Sequence, residues 1–211
     1  MRALVVYCHP QDSSFTAAVR DTVIDRLKNG GVEMRLHDLY RDGFQPVMTR
    51  QEFDGYLNYP ANRVPVESYV RDLEWCDTLV FIYPTWWYGL PAMLKGWLDR
   101  VLLPDVAFKM PTPDSKNIKP GLGHITRLGV FTTCGASRWL TWTIGSPGKR
   151  TLMRGLGLVL APRARRLFTA HFLMDSAERP ELEVYLRKVA ARTDKLIGAR
   201  HTAQLNEATT Q

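Results

Sequence analysis

The stretch from Arg2 to Asp38, RALVVYCHPQDSSFTAAVRDTVIDRLKNGGVEMRLHD, decides the fold class. Its first seven residues form a short apolar run, rich in β-branched side chains, that is typical of a strand buried on both faces. A polar turn follows, and apolar residues then recur at helical spacing up to the glycine pair 30–31, which marks a helix end. Residues 32–38 alternate and predict a second strand. The stretch is therefore a βαβ unit, whose two strands lie parallel with a right-handed crossover.

The rest of the chain continues this alternation of strands and helices. Apolar strands are predicted at 77–84, 125–134 and 165–173, and helices at 66–76, 91–103, 147–160 and 179–200. The proline-rich segment 39–68 is predicted to be irregular. Five strands separated by helices predict an α/β protein with an open parallel sheet that carries helices on both faces.

Length and composition indicate one domain with a core of ordinary size. The chain has 211 residues, of which 45% are hydrophobic. We expect a single domain over residues 1–200 and a flexible C-terminal tail over residues 201–211. The excess of 28 Lys and Arg over 21 Asp and Glu leaves a net charge of +7, which favours acidic partners such as phosphates or only solvates the surface. The densest basic cluster, at 163–166, is too short for a nucleic-acid-binding arm, so no nucleic-acid partner is predicted.

The cysteine pattern and the hydropathy pattern exclude several classes of protein. Cys8, Cys76 and Cys134 are far apart and lack CxxC spacing, which argues against a disulfide framework and against a zinc site. No apolar run approaches the roughly 18 residues needed to span a bilayer, and the N-terminus carries no secretion signal. We therefore expect a cytoplasmic protein with no metal site.

In an open parallel sheet the ligand binds at the carboxyl ends of the strands, so the loops that leave those ends are the candidate site. Loop 9–15 precedes a helix whose N-cap is Ser13 or Ser14, and free N–H groups at such a helix start bind anions. Neither GxxxxGK[ST] nor GxGxxG occurs in the chain. The loop therefore indicates a phosphate site of another kind, although a serine cap alone is a common structural feature.

The loop 84–90 contains three consecutive aromatic residues, Trp86, Trp87 and Tyr88, where side chains usually face water. Such residues provide a flat wall for a planar ring, or one or two of them fold back onto the sheet as core residues. The loop 132–140 offers a turn of small residues on the other side. A phosphate loop, an aromatic wall and a small polar turn together favour a mononucleotide with a large planar ring, and a flavin fits this description best.

Three segments resemble the flavin-dependent NAD(P)H:quinone oxidoreductases with a flavodoxin-like fold: HPQDSSF (9–15), PTWWYGLPAMLKGWLDRVL (84–102) and TTCG (132–135). The resemblance implies the sheet order 2-1-3-4-5 and a homodimer in which the partner completes the substrate cavity over the flavin. It implies that the flavin phosphates are held by His9, Ser14, Phe15 and Thr16. It places the flavin ring against Pro84, Thr85, Trp86, Trp87 and Tyr88, and its far edge against Thr132, Thr133, Cys134 and Gly135.

The chain departs from the family pattern where the family carries a Tyr and a His that steady charge on the reduced flavin. By offset, Leu140 and Ser146 stand at those positions. Tyr88 and Trp139 are the candidate catalytic residues, and Arg138 is a further candidate to replace the missing pair. Thr16 stands where the family often has Asn, which leaves the flavin open: FAD is predicted, with FMN as the alternative.

The resemblance implies a two-electron reduction of quinones by NAD(P)H in a ping-pong sequence, with a quinone-like small molecule and NAD(P)H binding in turn. Reduction of azo or nitro compounds differs from this only in the acceptor. A regulatory flavoprotein subunit of a potassium efflux system is a further alternative, and it alone predicts membrane association. A one-electron flavodoxin is disfavoured because such carriers are usually strongly acidic, whereas this chain is basic.

Overall fold

The computed structural model describes residues 1–111 and 117–198, so the predicted tail at 201–211 lies outside the described residues. The central sheet has five parallel strands: β1 (Arg2–Tyr7), β2 (Glu33–Asp38), β3 (Thr78–Thr85), β6 (Arg127–Cys134) and β7 (Arg165–His171). Two further strands, β4 (Phe108–Lys109) and β5 (Lys119–Pro120), form a separate antiparallel pair. The sheet order is β2-β1-β3-β6-β7, which confirms the predicted order, since β6 and β7 are the fourth and fifth strands of the sheet.

Among the described residues, seven α-helices connect or flank the strands. They are α1 (Phe15–Asn29), α2 (Arg50–Asp54), α3 (Glu67–Trp75), α4 (Ala92–Val101), α5 (Arg138–Thr143), α6 (Pro147–Arg150) and α7 (Arg179–Ile197). Helices α1 and α7 pack on one face of the sheet, and α3 and α4 pack on the other. The prediction of helices on both faces is therefore confirmed. Both faces of β1 and β3 are buried, which explains why their sequences are apolar throughout instead of alternating.

Two segments differ from the prediction. The helix predicted over 147–160 is only a short α-helix, α6, followed by a π turn at Thr151–Gly155 and a 3-10 turn at Leu156–Leu158. The two glycines of this segment weaken a regular helix, which accounts for the change. Conversely, the segment predicted to be irregular contains α2, which begins at a capping box between Thr49 and Glu52.

Helix α4 lies very close to the chain between β2 and α2. A Cβ atom on Gly96 would overlap the backbone of Pro46, so glycine is required for this approach. Next to it, the buried Arg100 donates to the carboxylate of Glu52 and to the carbonyl of Gln45. These contacts hold α4 in place and thereby fix the loop that precedes it, residues 84–90, which we call the aromatic loop. Within the described residues, no helix has the length and apolar character needed to cross a membrane.

Candidate active site

Three loops meet at the carboxyl edge of the sheet and enclose a cavity of about 590 Å³, which we call the ring cavity. The loops follow β1, β3 and β6, as predicted for an open parallel sheet. Twelve of the predicted site residues line this cavity: His9, Ser14, Phe15, Thr16, Pro84, Thr85, Trp86, Trp87, Tyr88, Thr133, Cys134 and Gly135. Thr132 and Trp139 do not line it. The sequence therefore located the cavity, while the binding role of each residue remains a prediction.

One end of the ring cavity is the N-terminus of α1. Ser14 is the N-cap residue, and its Oγ accepts a hydrogen bond from the N–H of Ala17 at 3.1 Å. The N–H groups of Phe15 and Thr16 have no partner inside the helix, as is usual for a first turn. Together with the positive end of the helix dipole, these donors favour a phosphate at this end of the cavity.

His9 adds a neutral donor to the same end. Burial lowers the pKa of its imidazole, so the ring is uncharged at neutral pH. In the tautomer in which Nδ1 accepts from the N–H of Gln11 at 3.0 Å, Nε2 carries the proton and is free to donate. His9 also approaches Trp86, with 6.3 Å between the ring centroids. This contact links the loop at residues 9–15, which we call the phosphate loop, to the aromatic loop.

Arg20, in the second turn of α1, holds the phosphate loop in place. Its guanidinium binds Asp12 at 3.2 Å and lies 3.6 Å from the buried carboxylate of Asp38. It also lies 4.6 Å above the centroid of the Tyr7 ring. The loop after β1 is thus fastened to the end of β2 and to the core by a side chain that is itself largely buried.

The aromatic loop has an unusual backbone. Trp87 and Tyr88 both have positive φ angles, 47° and 61°, in the left-handed region that non-glycine residues seldom adopt. The turn is closed by a hydrogen bond from the N–H of Gly89 to the carbonyl of Trp86 at 3.0 Å. Within the described residues, the N–H groups of Trp87 and Tyr88 donate to no other group, so both are available to a ligand.

The same loop settles the alternative that one aromatic residue folds back into the core. Trp86 is 43% exposed and Trp87 is 93% exposed, while Tyr88 is half-buried. The core interpretation is therefore wrong for Trp86 and Trp87, while Tyr88 is partly covered. A strained turn that leaves an indole in solvent has no packing reason, and strain of this kind is typical of functional sites.

The opposite wall is the end of β6. Thr133 Oγ1 lies 3.3 Å from Thr16 Oγ1, so this strand end is joined to the phosphate loop. Thr132 points elsewhere: it is buried, its Oγ1 lies 2.8 Å from Thr85 Oγ1, and its carbonyl accepts from the Tyr185 hydroxyl. The predicted contact of Thr132 with the far edge of the ring is thus replaced by a contact that aligns β6 with β3.

Trp139 lies in the first turn of α5 and is 70% exposed. It faces neither the ring cavity nor the neighbouring cavity described below. Tyr88, in contrast, lines both. The structure therefore brings one of the two candidate catalytic residues to the site, and a catalytic role for Trp139 has no geometric support.

Sequence reasoning missed a fourth loop, which follows β7. Met174 and Asp175 form a 3-10 turn there and line the ring cavity. The Asp175 carboxylate occupies the position of a side chain at Gly135, so a larger residue at 135 would displace it. The rule that places ligands at the carboxyl ends of parallel strands applies to β7 as well, and it was the signal for this loop.

The donor set of the ring cavity suits an anionic, planar organic ligand. Among the described residues no group of three or more His, Cys, Asp or Glu side chains is placed to hold a metal.

A family model described as flavodoxin-like fold matches residues 1–153. The chain belongs to the flavodoxin-like fold family.

Known relatives of this flavodoxin-like protein include two rat enzymes. It is 30% identical over 157 residues to ribosyldihydronicotinamide dehydrogenase [quinone], which covers 66% of each chain. It is 33% identical over 147 residues to NAD(P)H dehydrogenase [quinone] 1, which covers 62% of this chain and 53% of the relative. The match thus spans between about half and two thirds of these curated relatives.

Among solved structures, the flavodoxin-like protein is similar to Smu.1420 from Streptococcus mutans UA159. The two chains share 27% identity and superpose with a TM-score of 0.79, over 92% of this chain and 100% of the other. The similarity therefore extends beyond the residues 1–153 that the family model matches.

Proposed function

We propose that this protein is a flavin-dependent NAD(P)H:quinone oxidoreductase that reduces quinones by two electrons. One observation carries the proposal: a single cavity has an anion-binding helix N-terminus at one end and two unpaired backbone N–H groups on an aromatic turn at the other. The names of the rat relatives, both of which are quinone dehydrogenases, support the same conclusion.

The residues present fit a flavin. Ser14 and the N–H groups of Phe15 and Thr16 would hold its phosphate, because they offer donors and a positive dipole. The N–H groups of Trp87 and Tyr88 match the acceptor atoms that line the edge of a flavin ring. The cavity volume of about 590 Å³ falls inside the usual range of about 300–1,000 Å³ for cofactor sites.

When bound, a flavin supplies the redox chemistry, and the protein supplies binding, orientation and electrostatics. The phosphate end would anchor the flavin through the N–H groups at the start of α1. The aromatic turn would present backbone N–H dipoles to the ring, where they would stabilise negative charge. No side-chain nucleophile is required, and His9 is kept neutral by its burial.

The exposure of the aromatic loop supports a homodimer. Trp87 at 93% and Trp139 at 70% are large apolar surfaces that solvent alone does not stabilise. A second copy packed over the ring cavity would bury such surfaces and exclude water from the site. Sedimentation analysis of the purified protein tests this part of the proposal, and a monomer at micromolar concentration would contradict it.

The function is tested on the protein as purified. We expect a yellow protein that oxidises NADPH in the presence of menadione, and heat release of the chromophore followed by chromatography identifies FAD or FMN. A colourless protein that also fails to bind added FAD or FMN contradicts the proposal. Replacing menadione with an azo dye or a nitroaromatic compound distinguishes the acceptor classes without changing the assay.

A further inference from the structure

A second cavity, of about 490 Å³, lies beside the ring cavity, and we call it the basic cavity. Both cavities are lined by Thr85, Tyr88 and Cys134, so a single layer of residues separates them. The basic cavity extends from this wall past α5 and α6 to the edge strand β7 and to α7. Neither the phosphate loop nor the 3-10 turn after β7 contributes to it.

Four basic residues line the basic cavity: Arg138 from α5, Lys149 from α6, and Lys188 and Arg192 from α7. Lys188 and Arg192 are four residues apart and therefore lie on the same side of their helix. No Asp or Glu is among the described residues that line the cavity. Three separate segments of the chain thus bring positive charge to one concave surface.

These four cations are unpaired in the part of the chain that the structure describes. Arginines elsewhere behave differently: Arg26 binds Asp194 at 2.8 Å, and Arg63 binds Glu74 at 2.7 Å. Like charges gathered in a cleft focus a positive potential and attract anions. An anionic ligand would relieve their mutual repulsion.

The basic cavity also offers ring surfaces. Trp142, Phe168 and Phe172 line it together with Tyr88. The ammonium group of Lys149 lies 5.2 Å from the centroid of the Phe168 ring, so charge and aromatic surface are adjacent. Aromatic walls beside cations suit a ligand that carries both a phosphate and a flat heterocycle.

We propose that the basic cavity is a separate binding site for a phosphorylated adenosine nucleotide. Its volume falls within the range of small-molecule sites, its four cations match more than one phosphate charge, and its aromatic side chains match the base. The nucleotide is either the adenosine end of NADPH or a free nucleotide. Only the first of these sources depends on the proposed function.

The test is calorimetric titration of the purified protein with 2′,5′-ADP, with and without added FAD. We expect one nucleotide per chain and weaker binding at higher salt, because phosphate contacts are screened. The double variant Lys188→Gln/Arg192→Gln should bind about tenfold more weakly or worse, since two charge-assisted contacts are removed. Arg187→Gln is the matched control: Arg187 lies on the same helix, is exposed and does not line the cavity.

Kinetics then identify the source of the nucleotide. A double variant with a raised KM for NADPH assigns the site to the adenosine end of NADPH, and the KM for NADH, which lacks the 2′-phosphate, should then rise less or not at all. Loss of 2′,5′-ADP binding with both KM values unchanged assigns it to a free nucleotide. The proposal is overturned if the wild-type protein shows no binding, if the double variant binds like wild type, or if added FAD abolishes binding.

Discussion

Replacing Trp87 with glycine separates the role of this residue in folding from its role in the site. Trp87 is 93% exposed, so the substitution removes almost no buried surface. Its φ of 47° lies in a region that glycine adopts freely and tryptophan does not. The substitution therefore removes backbone strain and a solvent-exposed indole while leaving the core unchanged.

The magnitude follows from two opposing contributions. Relief of the left-handed conformation stabilises the fold by about 1–2 kcal/mol. The greater freedom of glycine in the unfolded chain destabilises it by about 0.4–1 kcal/mol. We expect the free energy of unfolding of Trp87→Gly to be unchanged or up to about 1.6 kcal/mol higher. Flavin binding should weaken, because an aromatic stacking contact contributes about 1–3 kcal/mol, or roughly 5- to 150-fold in affinity.

Two measurements check this expectation. Urea unfolding of the flavin-free protein gives the stability, and quenching of flavin fluorescence on titration gives the affinity. Trp86→Gly is the matched control, because Trp86 lacks the positive φ and contacts His9, so this variant should lose stability. Our explanation of the turn is wrong if Trp87→Gly lowers the free energy of unfolding by about 2 kcal/mol or more, or binds flavin like wild type.

Three further predictions follow from other parts of the fold. Ser14→Ala and Ser137→Ala each remove a helix N-cap and should each lower stability by about 1 kcal/mol, but only Ser14→Ala should weaken flavin binding in the same titration. Gly96→Ala should lower the free energy of unfolding by about 1–3 kcal/mol through overpacking against the segment before α2, whereas Gly123→Ala, which meets nothing within 4 Å, should change it little in the same urea series. Burial lowers the pKa of His37, so as the pH falls the unfolded chain binds a proton at this residue before the folded chain does. The free energy of unfolding should therefore fall as the pH drops below about 6.5. His37→Gln should flatten that slope between about pH 7.5 and 5.5.

The sheet was predictable because its strands carry a simple signal. β1 and β3 are buried on both faces and are apolar throughout, while the helix between β1 and β2 ends at a glycine pair. The segments that were mispredicted lack such a signal. The stretch after α6 has glycines whose effect depends on tertiary packing: a side chain at Gly157 would meet Arg166 on β7. Short-range patterns do not contain that contact.

The site was predictable at the level of loops and less so at the level of side chains. The strand-end rule brought residues of three loops to one cavity, but the rule does not say which face of β6 a side chain occupies. Thr132 and Thr133 are neighbours, yet alternation places only Thr133 against the phosphate loop, while Thr132 bonds to Thr85. Leu140 and Ser146 were placed by offset along the chain, and Trp139 was chosen as a neighbouring replacement; on α5, Leu140 lines the ring cavity and Trp139 does not.

Cys134 is a residue at which the arrangement of the loops and the placement of a single side chain are connected. It is buried, lies on the wall shared by the ring cavity and the basic cavity, and its Sγ lies 3.7 Å from Thr141 Oγ1 on α5. A glycine at this position would leave the two cavities joined more openly, because no side chain would stand between them. The side chain at residue 134 and the cations that line the basic cavity behind it are therefore parts of one arrangement. We expect Cys134→Gly to change both nucleotide affinity in the basic cavity and flavin affinity in the ring cavity, because it removes a side chain from the wall between them. Cys134→Ser, which keeps the side-chain volume, should change neither affinity by more than about twofold.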